Sequence, residues 1–248
     1  MFFNKFILDS TEKNIDLNNK FIKDHIEDKF ITEFRNQEFT NITLYNYFAL
    51  QLVRNPGMLL NAYDLFTKHY RGIESLNDYI SFKKIYNELV QLQFIDIFNK
   101  FNNGTYDFIH FTVNEMYNPN DVKIKPFLII SEGSTYLLNK LNYKQISALK
   151  DFNYNEVYLS IISPNQVIIL FEPTNNSLDI EIKIRKFIPY LNVTSFNLMA
   201  NTLIMKKDFI EYIGNDLLYH INQNSTFLHQ NNLQLLYSKS LEYEKIIK

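Results

Sequence analysis

The residues whose types and spacing best suit chemistry are Glu181 and Lys183, in the segment SLDIEIKIRK at 177–186. In an extended strand, Asp179, Glu181 and Lys183 would share one face and the isoleucines between them the other. Restriction-nuclease-like sites use the spacing Glu-x-Lys, in which a carboxylate binds Mg²⁺ and the lysine steadies the attacking water. Glu172, at the end of the preceding predicted strand, could supply the second carboxylate. One hypothesis is therefore a Mg²⁺-dependent nuclease that uses Glu172, Glu181 and Lys183.

The same segment also fits a solvated strand face whose opposite charges pair across a sheet. Other catalytic patterns are missing from the sequence. The five glycines are isolated, which excludes the clustered glycines of dinucleotide-binding and Walker A loops. Without cysteine there is no disulfide and no thiolate ligand or nucleophile. We expect no cofactor and no metal beyond the Mg²⁺ of the nuclease hypothesis, since no metal-ligand spacing joins the histidines: His25, His69, His110, His220 and His229.

Charge and composition restrict the classes of partner. A net charge of −2 gives no general attraction to nucleic acid or to an anionic membrane. The 17 tyrosines and 22 phenylalanines could nevertheless stack on bases, so an RNA-binding module stays an alternative. The apolar runs are far shorter than the roughly 20 residues of a membrane span, and the first residues lack the pattern of a secretory signal. We expect a cytoplasmic protein that does not bind membranes.

Helical periodicity dominates the first third of the chain, after a short buried strand predicted at 2–8. Ile22, Ile26, Phe30 and Phe34 recur every four residues and predict a helix over 18–35. Thr40 caps a second helix, which ends at Asn55-Pro56-Gly57. A third helix has Leu59, Ala62, Tyr63, Phe66 and Tyr70 on one side and ends at Gly72, and a fourth runs from about Ser75 to Leu92.

Strand-like segments follow residue 93. The predicted strands cover 106–113, 123–130, 156–162, 167–171 and 178–184, and the third and fourth form a hairpin around 163–166. Helical spacing returns in the last part of the chain, and we predict helices at 135–150, 190–205 and 230–247. Segregated runs of helices and strands predict an α+β fold with an antiparallel or mixed sheet. We expect a single domain over 1–248, with a helical part at about 15–95, a strand-rich part at about 100–190 and a helical tail at about 190–248.

Several short motifs occur in the order of a known family. They are the aromatic, apolar and basic residues 1–8, then Ile26-Glu27, Arg54-Asn55-Pro56, Pro126-Phe127 with Ser131-Glu132, Ile161-Ile162-Ser163-Pro164, and Leu191-Asn192 with Ala200. In this order the chain resembles the domain of unknown function 4238 family of bacterial and phage proteins. The opening histidine and proline of that family are absent here, as is the proline after Glu132.

The resemblance implies that three charged residues, Arg54, Glu27 and Glu132, come together. We predict that Arg54 is mostly buried and ion-paired with Glu27 or Glu132, so that Arg54→Ala would cost about 3–5 kcal/mol. The alternative is that Arg54 lies on the surface and complements the negative end of its helix dipole.

The resemblance gives no activity, and it implies a phage or mobile-element origin. Together with the missing catalytic patterns and the many aromatic residues, it favours a non-catalytic protein-interaction protein. Such a protein would act in phage–host conflict as an inhibitor or regulator of a host or defence-system protein. Whether the chain is an enzyme stays open.

Overall fold

The computed structural model describes residues 20–36, 38–70, 72–113, 116–117, 123–124, 128–131, 133–137, 156–173, 191, 195, 203–204, 242–243 and 245–246. The chain divides into two compact units, a helical unit (residues 1–104 and 235–248) and a sheet unit (residues 105–234). Helices and an antiparallel sheet confirm the predicted α+β fold class. The single domain stays a prediction, and the strands predicted at 2–8 and 178–184 lie outside the described residues.

The helical unit begins its described part with a π-helical turn, Lys23–Glu27, that runs directly into α1 (Asp28–Asn36). Ile26 and Phe30 are buried, as their four-residue spacing predicts. The charged residues on the opposite side of this helix, among them Asp24 and Asp28, are exposed. The helix predicted over 18–35 is therefore confirmed in its described part.

Two capped helices follow. The Thr40 side chain accepts a hydrogen bond from the Thr43 amide and begins α2 (Asn41–Val53). Asn55 then caps α3 (Pro56–His69) by accepting a bond from the Gly57 amide at 2.9 Å. Proline suits the first position of a helix, because its missing N–H would have no partner there. The predicted boundary at 55–57 is thus confirmed.

The last long helix, α4 (Leu76–Asn103), begins with a capping box in which the Ser75 and Asp78 side chains each accept a bond from the other's amide. It continues well past Leu92, so the predicted end was wrong. Phe94, Phe98 and Phe101 carry the helical spacing onward and are buried. Both α2 and α3 pack against α4, and the core of the helical unit lies between them.

The sheet unit contains eight described strands: β1 (Asp107–Thr112), β2 (Met116–Tyr117), β3 (Lys123–Ile124), β4 (Ile130–Ser131), β5 (Thr135–Leu137), β6 (Val157–Ser163), β7 (Gln166–Phe171) and β8 (Leu203–Ile204). Four of them form an antiparallel sheet in the order β1-β7-β6-β5. β2 pairs with β3, and β4 pairs with β8.

The predicted hairpin is confirmed. β6 and β7 are antiparallel, with Leu159 opposite Ile169 and an irregularity between Ile161 and Ser163. Residues 157–161 and 167–171 are buried without interruption, although successive side chains of a strand point to opposite faces. Both faces of the sheet are therefore covered at this hairpin.

Three predicted elements need correction. β5 occupies the first residues of the helix predicted at 135–150. β8 lies at the end of the helix predicted at 190–205, in which Leu191 and Ser195 are helical as predicted. Short apolar runs fit both periodicities, so pairing with a neighbouring strand decided the outcome. β3 and β4 contain the two ends of the strand predicted at 123–130, but Leu128 and Ile129 within it are not in a strand.

The helix predicted at 230–247 is described at four positions, Glu242, Tyr243, Lys245 and Ile246, and all four are helical. Within the described part of the chain, none of the helices combines the length and the apolar character that crossing a membrane requires.

Candidate interaction surface

The predicted nuclease residues are only partly described. Glu172 is half-buried just after β7, and its backbone N–H donates to the Glu156 carbonyl at 3.4 Å. Glu181 and Lys183 lie outside the described residues. In the ranges that are described, no group of three or more His, Cys, Asp or Glu side chains could hold a metal ion. The nuclease site stays a prediction.

Two tyrosine hydroxyls enclose the Glu156 carboxylate. Tyr106 and Tyr158 donate to its Oε2 atom at 2.9 and 3.0 Å. Burial raises the pKa of Tyr158 far above its ordinary value, and the nearby Glu156 carboxylate raises it further. Tyr158 therefore stays a protonated hydrogen-bond donor at any ordinary pH. This arrangement links the start of β6 to Tyr106, the residue that precedes β1.

Buried hydroxyls of the sheet unit bind one another. Thr135 Oγ1 and Ser160 Oγ are 2.7 Å apart, and Ser134 Oγ donates to Ser195 Oγ at 3.4 Å. A serine nucleophile needs a general base within hydrogen-bond reach. These four side chains are buried, and these two bonds join hydroxyl to hydroxyl. They satisfy polar atoms in the core, and we assign them no chemistry.

Arg54 and Glu27 form an ion pair between Nη1 and Oε1. The predicted burial of Arg54 was wrong, because its side chain is 40% exposed and that of Glu27 is 35% exposed. Arg54 is the C-cap of α2. Such a pair contributes about 0–1 kcal/mol instead of the predicted 3–5. Glu132 lies outside the described residues.

One aromatic cluster of the helical unit, which we call the aromatic corner, reaches the surface at an exposed tyrosine. Its ring centroids are 4.5 Å apart for Phe66 and Tyr70, 5.8 Å for Phe66 and Phe82, 6.2 Å for Tyr63 and Phe82, and 6.3 Å for Phe82 and Tyr86. The aromatic corner comprises Tyr63, Phe66 and Tyr70 from α3 or its end, and Phe82 and Tyr86 from α4. Tyr79 of α4 stacks separately on Tyr243 of the C-terminal segment.

Burial divides the aromatic corner into a centre and a rim. Phe66 and Phe82 are buried, Tyr63 and Tyr86 are half-buried, and Tyr70 is 46% exposed. A tyrosine ring offers a large apolar body together with a hydroxyl that can bind water or a partner. Tyrosine and phenylalanine are enriched in the cores of protein–protein interfaces. The arrangement can therefore bind an apolar surface and also donate hydrogen bonds at the rim.

The sequence contained part of this surface. The predicted face of the third helix contains Tyr63, Phe66 and Tyr70. By itself, such a face predicts only that the helix packs against the protein core. The spacing of Tyr79, Phe82 and Tyr86 places three more rings on one side of α4. A search for aromatic residues at helical spacing on two consecutive helices could have found both halves. Their exposure depends on tertiary packing.

A scan against protein-family models, a search of the curated proteins and a search of the solved structures each found no match to this chain. These comparisons add no support to the resemblance to the domain of unknown function 4238 family.

Proposed function

We propose that this chain is a non-catalytic protein-interaction protein and that the aromatic corner binds its partner. The exposure of Tyr70 carries this proposal. Its ring lies 4.5 Å from the ring of buried Phe66 in a nearly parallel stack, so it is held in place while almost half of it stays in contact with water. A fixed, exposed tyrosine beside a buried aromatic centre is typical of residues that dominate binding energy at interfaces.

The distribution of exposed apolar side chains supports the same surface. Single exposed apolar residues are common on any protein, but several of them near an aromatic cluster favour a binding surface. Among the described residues, the large hydrophobic side chains that are clearly exposed all belong to the helical unit: Ile31, Ile42, Leu65, Tyr70, Ile80, Leu92 and Ile246. The helical unit is thus the better candidate for recognition.

The class of partner follows from the resemblance alone. A member of the domain of unknown function 4238 family would be encoded by a bacterium, phage or mobile element. We propose a host or defence-system protein as the partner, with this chain as its inhibitor or regulator in phage–host conflict. The Mg²⁺-dependent nuclease and the RNA-binding module remain predictions.

Site-specific photo-crosslinking tests the proposal. A benzophenone amino acid would replace Tyr70 in the full chain, expressed in the cells that carry the gene, and Ile42 on α2 is the matched control because it is equally exposed and apolar. We expect a discrete, protease-sensitive adduct from position 70 and much less from position 42. Equal or absent adducts at the two positions would contradict the proposed surface. An adduct removed by ribonuclease would favour the RNA-binding alternative.

A further inference from the structure

The end of α4 contains an asparagine that can react with its own backbone. Residues 102–105 are exposed, whereas Phe101 before them and Tyr106 after them are buried. Within this exposed stretch, Asn103 is the last residue of α4 and Gly104 is its C-cap. Asn103 is the one asparagine of the sequence that directly precedes a glycine.

The reaction is the attack of a backbone nitrogen on a side-chain amide. The Gly104 nitrogen forms a bond to the side-chain carbonyl carbon of Asn103 and gives up its proton. The C–N bond of the side-chain amide breaks, and ammonia leaves with that proton. The product is a five-membered cyclic imide. Water then adds to one of the two imide carbonyl groups, and the ring opens to an aspartyl or an isoaspartyl residue. The sequence of steps consumes water alone.

Glycine suits this reaction because it has no Cβ. A side chain on the following residue hinders the approach of the backbone nitrogen and narrows the range of backbone conformations in which it meets the amide carbon. Asparagine is in any case one of the chemically labile residues of proteins. Asn102 is exposed like Asn103 but is followed by a residue with a side chain, so it provides a comparison within the same turn.

The last turn of α4 limits this reaction. The Gly104 N–H donates to the Lys100 carbonyl at 3.0 Å, and Asn103 is helical. Ring closure needs a free Gly104 nitrogen and a rotation of the Asn103 backbone away from the helical conformation, so this hydrogen bond has to open first. Helix ends open with a free energy close to zero, far more easily than a core does. Phe101, which is buried with its ring 5.9 Å from that of Tyr45, can stay in place while the last turn opens.

We propose that Asn103 is a site of spontaneous modification whose rate is set by the opening of the last turn of α4. Each conversion replaces a neutral amide by a carboxylate at the C-terminal end of a helix, where the helix dipole disfavours negative charge. The isoaspartyl product also adds a methylene group to the main chain between Phe101 and Tyr106. Both of these residues are buried, so the modification alters a connection that is anchored at each end.

Peptide mapping by mass spectrometry measures the conversion in the full-length protein during incubation at mildly alkaline pH. An isoaspartyl-specific methyltransferase then identifies the isomer. We expect a mixture of aspartyl and isoaspartyl residues at position 103, with Asn102 largely unchanged. Gly104→Ala should lose most of the conversion, and it should fold normally, because a φ of −89° and a ψ of 169° suit any residue. Thr105→Ala is the matched control, since Thr105 is exposed in the same stretch, and it should convert like the wild type.

The absence of isoaspartate at position 103, or equal conversion in the wild type and Gly104→Ala, would overturn the modification site. An aspartyl product without its isomer would mean direct hydrolysis of the side chain and would contradict the cyclic imide. Incubation in urea tests the part played by α4, because the unfolded chain should convert faster than the folded protein. Equal rates in buffer and in urea would show that the last turn does not control the reaction.

Discussion

The β6–β7 hairpin and the α3–α4 pair use their apolar residues differently. In the hairpin, residues 157–161 and 167–171 are buried without interruption, so both faces of the sheet contribute to the core. On α3 and α4, Leu65, Tyr70 and Ile80 stay exposed beside buried phenylalanines. Apolar side chains of the β6–β7 hairpin thus contribute mainly to stability, whereas part of those on α3 and α4 is left accessible for binding.

The largest expected effect is a change in the free energy of unfolding, and it is tested by replacing one leucine in each region. Leu159 is fully buried in β6 opposite Ile169, so Leu159→Ala should destabilise the protein by about 2–5 kcal/mol through lost burial and a cavity. Leu65 is exposed on α3, and Leu65→Ala should change the stability by less than about 0.5 kcal/mol. Urea unfolding followed by circular dichroism measures both. Similar losses in the two variants would show that the helical face is covered after all.

Buried polar atoms are hydrogen-bonded at some positions of the molecule and not at others. In the sheet unit, Thr135 and Ser160 are buried and hydrogen-bonded to each other. In the described part of the helical unit, Gln91 Oε1, Asn46 Oδ1 and Asn87 Nδ2 are buried without a hydrogen-bond partner. A buried polar atom without a partner loses its hydration and gains nothing in return. Packing in the helical unit is therefore less favourable at these positions.

The second prediction concerns Gln91, one of these three positions. Methionine has nearly the shape of glutamine and no polar oxygen, so Gln91→Met should stabilise the protein by about 1 kcal/mol. Gln93, exposed on the same helix, is the matched control, and Gln93→Met should be nearly neutral. The shift of the urea midpoint measures both. If Gln91→Met loses stability and Gln93→Met does not, the side-chain amide of Gln91 is hydrogen-bonded in solution.

Sequence reasoning succeeded where one local rule decides the structure. Thr40, Asn55 and Ser75 begin helices because their side chains accept bonds from backbone amides that the first turn leaves free. The hairpin followed from two apolar runs around Pro164-Asn165. The positions of β5 and β8 could not be predicted in this way, because they depend on partners distant in sequence.

The candidate sites show the same limit. The approach of Arg54 to Glu27 was predicted, but its exposure depends on what surrounds the end of α2. The aromatic corner required the relative placement of α3 and α4, which no spacing within one helix contains. Local interactions such as helix caps can be predicted from the sequence. The exposure of side chains on a functional surface depends on the tertiary structure.

The smallest expected effect is the pH dependence of stability that arises from the capping box of α4. The hydrogen bond from the Ser75 side chain lowers the pKa of Asp78 below its ordinary value of 3.8. A carboxyl group whose pKa is lower in the folded state contributes stability that is fully present above pH 3.8. That contribution is lost as the pH falls through the folded pKa. The buried Tyr158 of the sheet unit, whose pKa is raised, has no such effect in acid.

Asp78→Asn should therefore remove part of the acid sensitivity of the helical unit. Between about pH 5 and pH 3 the urea midpoint of the wild type should fall more than that of the variant, because asparagine does not titrate. The control is Asp96→Asn, an exposed position in the middle of the same helix, which should follow the wild type. Parallel pH curves for the wild type and Asp78→Asn would mean that the capping box does not form in solution. Helix α4 would then begin later, and Tyr79 would no longer be held where Tyr243 stacks on it.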